Sequence, residues 1–194
     1  MDERDVFILA EQALKAVIDQ IGDDQWNLVV PTGMTRRPAT LREVINYHAY
    51  DSAWVPDTLA GKTVEEVGTA HDGDLLGDNP KERYGEISET AIAAVRGLTD
   101  LDRTVHLSYG DYPACEYLKH ITSFRGFRVY DLAKLIGVDT TMPADLVQGM
   151  WDELGPSMEE WRQMGLFGPA VEVPQDATLQ DRLLGLSGRN PVPE

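Results

Sequence analysis

The sequence is poor in cysteine, in basic side chains and in long apolar runs. Cys115 is the single cysteine among 194 residues, so no disulfide can form within the chain and no zinc site built from several thiolates is available. No segment approaches the roughly 18 consecutive apolar residues that a membrane-spanning helix needs. The chain opens with Met1, Asp2 and Glu3 rather than with a basic and then apolar leader. These features predict a soluble protein of the reducing cytoplasm.

Basic residues are outnumbered almost two to one by acidic residues. The 17 Lys and Arg side chains against 33 Asp and Glu give a formal net charge of -16. Such a charge repels nucleic-acid phosphates and anionic lipid head groups, so we expect neither nucleic-acid nor membrane binding. With 42% hydrophobic residues, the chain is long enough for one substantial core but short for two, which predicts a single domain over residues 1–194.

Apolar residues recur at spacings of three and four residues over most of the chain, which predicts a mainly helical, all-α fold. The first helix carries Val6, Leu14 and Ile21 and is expected to end at Gly22. The second follows a capping box formed by Thr40 and Glu43 and has His48 on its inward face.

The remaining helices are predicted from their ends. The third begins after Asn79 and Pro80, and Gly137 stops a long fourth helix that starts near Cys115. The fourth helix has two partly apolar faces, which indicates a central position; one face includes Arg125, and the other consists of Tyr117, His120, Phe124, Arg128 and Asp131. Pro143 opens a fifth helix, and a short last helix is expected over 177–186 with Asp176 as its cap.

The segments between the predicted helices differ in character. Residues 23–39, with Gly33 and Arg36, predict a connecting loop. The acidic stretch 65–78 predicts a solvated crossover, and the alternation over 104–113 predicts an extended piece or a short hairpin. Four long helices with one long crossover, followed by an irregular C-terminal appendage, are typical of a four-helix bundle.

Several sequence strings resemble the mycothiol-dependent maleylpyruvate isomerase-like family. They are LREVINYH over 41–48, DLAKLIG over 131–137, and a tail with FGPAVEVP over 167–174, DRLL over 181–184 and Gly188-Arg189. The resemblance spans most of the chain. It implies a DinB-like four-helix bundle and a thiol-dependent isomerase or transferase built around one divalent metal.

In that family the metal is held by one histidine of the second helix and by two ligands one turn apart on the helix that ends in Asp-Leu-Ala. His48 matches the first ligand, whereas Phe124 and Arg128 occupy the other two positions, and neither side chain binds a cation. Because a catalytic zinc site needs three protein ligands, we expect no metal and no cofactor. The alternative is a relocated site at Glu116 and His120, which repeat the four-residue spacing two turns earlier, with zinc and mycothiol as cofactors.

Without a metal, Arg128 and His48 are the candidates for ligand binding and for catalysis. Arg128 could replace the metal's charge with a guanidinium that binds a small anionic ligand, with Phe124 and His120 on the same face completing the ligand-binding set; alternatively, it pairs with Asp131 three residues on. His48 is the candidate general acid or base, or else a hydrogen-bonded inward histidine.

Three hypotheses follow, and whether the protein is an enzyme is open among them. The first is a metal-free, divergent member of the family with an inter-helical pocket for a small anionic molecule. The second is a noncatalytic bundle that binds a partner or forms a homodimer. The third is the metal-dependent thiol isomerase or transferase that the family name implies.

Overall fold

The computed structural model describes residues 1–31, 34–35 and 37–191. Thr32, Gly33 and Arg36 of the predicted connecting loop lie outside this described part. The chain is mainly helical, as predicted, with one two-stranded sheet. Its elements are α1 (Glu3–Ile18), α2 (Leu41–Leu59), α3 (Val64–Val67), α4 (Pro80–Arg96), β1 (Thr104–Leu107), β2 (Gly110–Pro113), α5 (Ala114–Ile136), α6 (Ala144–Leu154), a 3₁₀ turn (Gly155–Ser157), α7 (Met158–Gln163) and α8 (Leu179–Leu186). No helix in the described residues is long and apolar enough to cross a membrane.

The four longest helices pack side by side, and each packs most extensively against two of the others. α1 packs against α4 and α5, and α2 packs against α4 and, over a shorter length, against α5. α6 lies against α1 and α5 and also contacts α8. The apolar stripes of these helices therefore meet in a shared interior, as expected for amphipathic helices that bury one face.

The alternating segment forms an antiparallel hairpin. Thr104 pairs with Pro113, and Leu107 pairs with Gly110 at the closed end. Gly110 has a φ of 137°, a backbone conformation that favours glycine. The hairpin leads directly into α5, and both of its strands contact that helix.

Most predicted helix ends are confirmed. The Thr40–Glu43 capping box starts α2, Pro80 is the first residue of α4, and Gly137 ends α5 with a left-handed φ of 78°. Asn79 precedes α4 as expected, but its side chain makes no capping hydrogen bond.

Three local predictions were wrong. α1 ends at Ile18 rather than at Gly22, because the amides of Gln20 and Ile21 turn to carbonyls three residues back and close a tighter turn. The cap of α8 is Thr178, whose side chain accepts from the amide of Asp181, rather than Asp176. The acidic crossover is not entirely loop, because it contains α3.

α3 has the same N-terminal signal as α2. The Thr63 side chain accepts from the amide of Glu66, and the Glu66 side chain accepts from the amide of Thr63. This capping box satisfies amides that a short helix would otherwise leave unpaired. The sequence contains the Thr-x-x-Glu spacing of this capping box. The high acidic charge of the segment nevertheless favoured the prediction of a solvated loop.

Candidate functional site

A buried polar network joins the four long helices, each of which contributes one side chain. Glu11 of α1 accepts hydrogen bonds from Ser52 of α2 (2.8 Å), from Tyr84 of α4 (3.2 Å) and from the guanidinium of Arg125 of α5. Arg125 also donates to the Ser52 hydroxyl at 2.7 Å. All four side chains are fully buried. The network therefore sets the relative positions of the helices that surround the site.

Electrostatics within this network support a structural role. Burial lowers the pKa of Arg125, but the charges of Glu11 and, to a smaller extent, of the other acidic groups around it act together to raise that pKa overall. Burial and the Glu11 charge raise the pKa of the Tyr84 hydroxyl well above its usual value. Arg125 is thus charged and Tyr84 neutral at physiological pH, and neither is available for proton transfer.

A cavity of about 240 Å³ lies between α2, α5 and the hairpin. α2 lines it with residues at spacings of three and four, which place them on one helical face. α5 contributes a facing set with the same periodicity. The lining consists of Tyr47, Tyr50, Asp51, Trp54 and Thr58 from α2, Val64 from α3, His106, Leu107, Ser108 and Tyr109 from the hairpin, and Tyr117, His120, Ile121 and Phe124 from α5.

The walls of the cavity are mainly aromatic, and their rings contact one another. Tyr50 lies between Tyr47 and Trp54 on α2, with ring centroids 6.5 and 6.0 Å away. At the hairpin tip, the Tyr109 hydroxyl is 3.2 Å from Nδ1 of His120. This contact ties the hairpin to α5 and closes one side of the cavity. Tyr109 is itself solvent-exposed, so it stands at the mouth.

Asp51 is the one formally charged side chain among the described residues that line the cavity. Within the described part of the chain it has no hydrogen bond and no ion pair. Burial raises its pKa to about 6, opposed by the charge of Arg125 and assisted by that of Glu11. The carboxylate is therefore mostly ionised at neutral pH, although it lies among apolar rings.

The predicted ligand-binding residues separate into two groups. His120 and Phe124 line the cavity, whereas Arg128 and His48 are neighbours outside the lining. Arg128 Nε donates to Nε2 of His48 at 3.2 Å, and its Nη2 donates to the carbonyl of Met34 at 3.0 Å. Two of its three nitrogens are thus engaged by protein groups, whereas Nη1 is buried without a hydrogen-bond partner in the described part of the chain.

The surroundings of His48 explain its protonation state. It is 2% exposed, and burial, followed by the charges of Arg128 and Arg125, lowers its pKa well below the usual value. Because Nε2 accepts from Arg128, the proton of the neutral ring is on Nδ1, which has no partner in the described ranges. The ring is therefore held neutral and away from the cavity, which is a poor position for a general acid or base.

The alternative pairing of Arg128 with Asp131 is present but loose. Their closest atoms, Nη1 and Oδ2, are 3.7 Å apart. Asp131 is held more tightly by Arg189 of the C-terminal segment through two hydrogen bonds of 2.8 Å each. The Asp-Leu-Ala string thereby anchors the tail to α5.

The residues at the family's metal position do not fit a metal ion. Nε2 of His48 faces the Arg128 guanidinium, a cation that would repel a second one. At the relocated position, Glu116 pairs with Lys119 at 2.9 Å, and His120 faces Tyr109. Over residues 1–31, 34–35 and 37–191, no three His, Cys, Asp or Glu side chains are grouped so that they could hold a metal.

Sequence reasoning missed the residues that matter most here. Asp51 lies outside the apolar stripe of α2 that contains His48, so that stripe gives no signal for it. Residues 47, 50, 51, 54 and 58 form a second face of α2 that is rich in aromatic side chains. Glu11 was overlooked on α1, yet it lies between Phe7 and Leu14 in a buried stripe. Glu11 is an acidic residue in the apolar stripe of α1, and Arg125 is a basic residue in the apolar stripe of α5. The two residues together indicate a buried ion pair.

Comparison of this chain with protein-family models, with curated proteins and with solved structures finds no match. The chemistry of the side chains around the cavity is therefore the basis for inferring function.

Proposed function

We propose that this protein binds a small organic molecule in the cavity between α2, α5 and the hairpin. The observation that carries the proposal is an aromatic-lined cavity of about 240 Å³ whose Asp51 carboxylate has no partner in the described chain. Aromatic walls bury the apolar body of a ligand, while a few polar groups orient it. The volume is below the roughly 300–1,000 Å³ of drug-sized sites, which favours a ligand of metabolite size.

A second unpaired polar group supports the same site. The indole N–H of Trp54, which lines the cavity, is buried and has no hydrogen-bond partner among the described residues. Leaving such a group unsatisfied costs about 1–3 kcal/mol. Because a buried polar group without a partner is rare in a native structure, a ligand in the adjacent cavity is the explanation that we propose for it.

We further propose that the chain is a metal-free, divergent relative of the mycothiol-dependent maleylpyruvate isomerase-like family with a DinB-like bundle. The resemblance of the sequence strings and the packing of four long helices support this relationship. So does the contact between His48 and Arg128, since the two positions that would share a metal in the family lie side by side. In this proposal the Arg128 guanidinium replaces the metal's positive charge.

A binding role is favoured over acid–base catalysis and over anion binding at Arg128. His48 is buried, has a strongly lowered pKa and does not line the cavity. An anion could reach Arg128 without displacing its bonds to His48 and Met34 only at the buried Nη1 group, and Arg128 does not line the cavity. The cavity has neither difficulty, because its lining is open and Asp51 is unpaired.

The binding site is tested by recording ¹H–¹⁵N NMR spectra of the protein with a panel of small aromatic and aliphatic molecules. We expect the molecules that bind to shift amides of the cavity lining. Ser108→Trp, at the exposed hairpin tip, should fill the mouth and abolish these shifts, whereas the control Thr90→Trp on the exposed face of α4 should not. Binding that is unchanged by Ser108→Trp would contradict the proposal.

The metal-free state is tested by elemental analysis of untagged protein purified without chelator. We expect far less than one transition metal per chain. About one zinc per chain would contradict this part of the proposal and would redirect attention to Glu116 and His120.

A further inference from the structure

We infer that the ligand of the cavity is an organic cation, an ammonium group that pairs with Asp51 and is surrounded by the aromatic rings. This inference rests on the proposed binding function, since it specifies the class of molecule that occupies the same cavity. It reverses the sign of the charge expected from the sequence, where Arg128 indicated an anion.

The charges around the cavity are the first support. Asp51 is the sole carboxylate of the described lining, which contains no Lys or Arg. Arg125, whose charge acts on Asp51, is fully buried and is already bonded to Glu11 and Ser52, so it cannot turn toward a ligand. An ionised carboxylate in apolar surroundings is costly unless it is paired. A cationic ligand supplies the missing partner.

The aromatic rings are the second support. Tyr47 and Trp54 lie four residues before and three residues after Asp51, so all three share one face of α2. Phe124 of α5 and Tyr109 of the hairpin line the cavity from the other sides. The faces of aromatic rings attract cations, and cages of such rings recognise quaternary ammonium groups. A carboxylate in a cavity lined by several aromatic side chains fits this chemistry.

Other ligand classes fit less well. A metal ion needs several donor side chains close together, and no such group is found in the described ranges. The two histidines of the lining are already engaged, His106 Nδ1 with Asp111 at 2.8 Å and His120 Nδ1 with the Tyr109 hydroxyl. An anion would meet Asp51 without a compensating cation. The net charge of -16 also attracts cations toward the protein.

Three probes of nearly identical shape separate these classes. Choline, 3,3-dimethylbutan-1-ol and 3,3-dimethylbutanoate share a trimethylated head or its carbon analogue and differ in charge. Each is titrated into the intact protein and followed by NMR shifts of the lining amides. We expect choline to bind about tenfold or more tightly than the alcohol, as a desolvated cation–π and ion-pair contribution implies, and the butanoate to bind most weakly.

Asp51→Asn isolates the charge, because it keeps the shape of the side chain. We expect it to weaken choline about tenfold and to leave the alcohol unchanged. The matched control is Asp57→Asn on the same helix, where the native carboxylate pairs with Lys62 and His71 outside the cavity; this control should not alter choline binding. Circular dichroism checks that both variants are folded.

The outcomes distinguish this inference from the binding function beneath it. Choline and the alcohol could bind equally, with binding that is insensitive to Asp51→Asn but abolished by Ser108→Trp. That result would overturn the inference of a cationic ligand and leave the cavity as a binding site. Tightest binding of the butanoate would overturn the cation in favour of an anion. If none of the three probes shifts a lining amide up to its solubility, the inference is also overturned, and the wider panel of molecules then decides the binding function by itself.

Discussion

Arg125→Met removes the cation at the centre of the buried network and is expected to destabilise the protein strongly. The guanidinium bonds to Glu11, Ser52 and the carbonyl of Ile121, and none of these groups is exposed to solvent. Methionine is apolar and flexible enough to fill much of the same space. The main effect of the substitution is therefore electrostatic rather than the creation of a cavity.

The size of the expected destabilisation follows from the Glu11 carboxylate that Arg125→Met leaves unpaired. Without Arg125, the Glu11 carboxylate has only the hydroxyls of Ser52 and Tyr84 as donors, and its charge is uncompensated in a fully buried position. Breaking a buried pair in this way costs about 3–5 kcal/mol. This cost is a large part of a typical unfolding free energy of about 5–15 kcal/mol. The variant should still fold at low temperature.

The assay is urea unfolding followed by circular dichroism, analysed as a double-mutant cycle. Glu11→Gln and Arg125→Met are measured singly and together, and the double variant should be more stable than the sum of the single effects by about 2–3 kcal/mol, since it leaves no unpaired charge. Lys15→Met serves as the control, because its pair with Asp19 is a partly exposed surface pair worth about 0.3–0.5 kcal/mol.

Two results would refute this reasoning. One is a loss of less than about 1 kcal/mol for Arg125→Met, which would place the pair in the range of a surface salt bridge. The other is simple additivity in the cycle, which would mean that Glu11 and Arg125 contribute independently.

Three further predictions concern pH and packing. Because burial raises the pKa of Asp51 to about 6, its ionised fraction falls about tenfold between pH 7 and pH 5, and choline affinity measured by NMR titration should fall with it; a flat profile would exclude Asp51 as the partner. Glu153 has both oxygens buried without a partner in the described chain, and burial followed by the Glu3 charge raises its pKa to about 8. The folded state thus keeps a proton that the unfolded chain releases near its ordinary pKa of 4.5, so the contribution of Glu153 to stability is fully present in acid and is lost as the pH rises toward 8. Glu153→Gln should flatten that fall in urea unfolding at several pH values and should stabilise the protein at pH 8 by about 1–2 kcal/mol, after allowance for partial exposure; an unchanged pH dependence would contradict this. Finally, an added Cβ at Gly126 would collide with the thioether of Met150 on α6, so Gly126→Ala should cost about 1–3 kcal/mol in thermal unfolding, and Met150→Ala in the same chain should remove most of that extra cost.

The candidate site was only partly predictable. His120 and Phe124 could be placed in an inter-helical pocket, because their spacing on α5 and the family resemblance both indicated that face. Asp51 could not be chosen from the sequence, since an acid on a helix is usually solvated and its environment depends on the hairpin that packs over it. The expected proximity of Arg128 to His48 is found in the structure. The carbonyl of Met34, which also accepts a hydrogen bond from Arg128, belongs to a loop whose path cannot be predicted from periodicity.

The sequence by itself determined the number, type and order of the long helices and most of their ends. These depend on local physics: apolar side chains at three- and four-residue spacing, a Thr-x-x-Glu capping box, a proline in the first turn and a glycine at the stop. Tertiary structure alone decided which helices are neighbours, that Glu11 and Arg125 meet although 114 residues apart, and that Asp51 is enclosed by rings from three different elements. Those outcomes depend on long-range packing and desolvation, in which the same carboxylate is a surface charge or a buried binding group according to what folds against it.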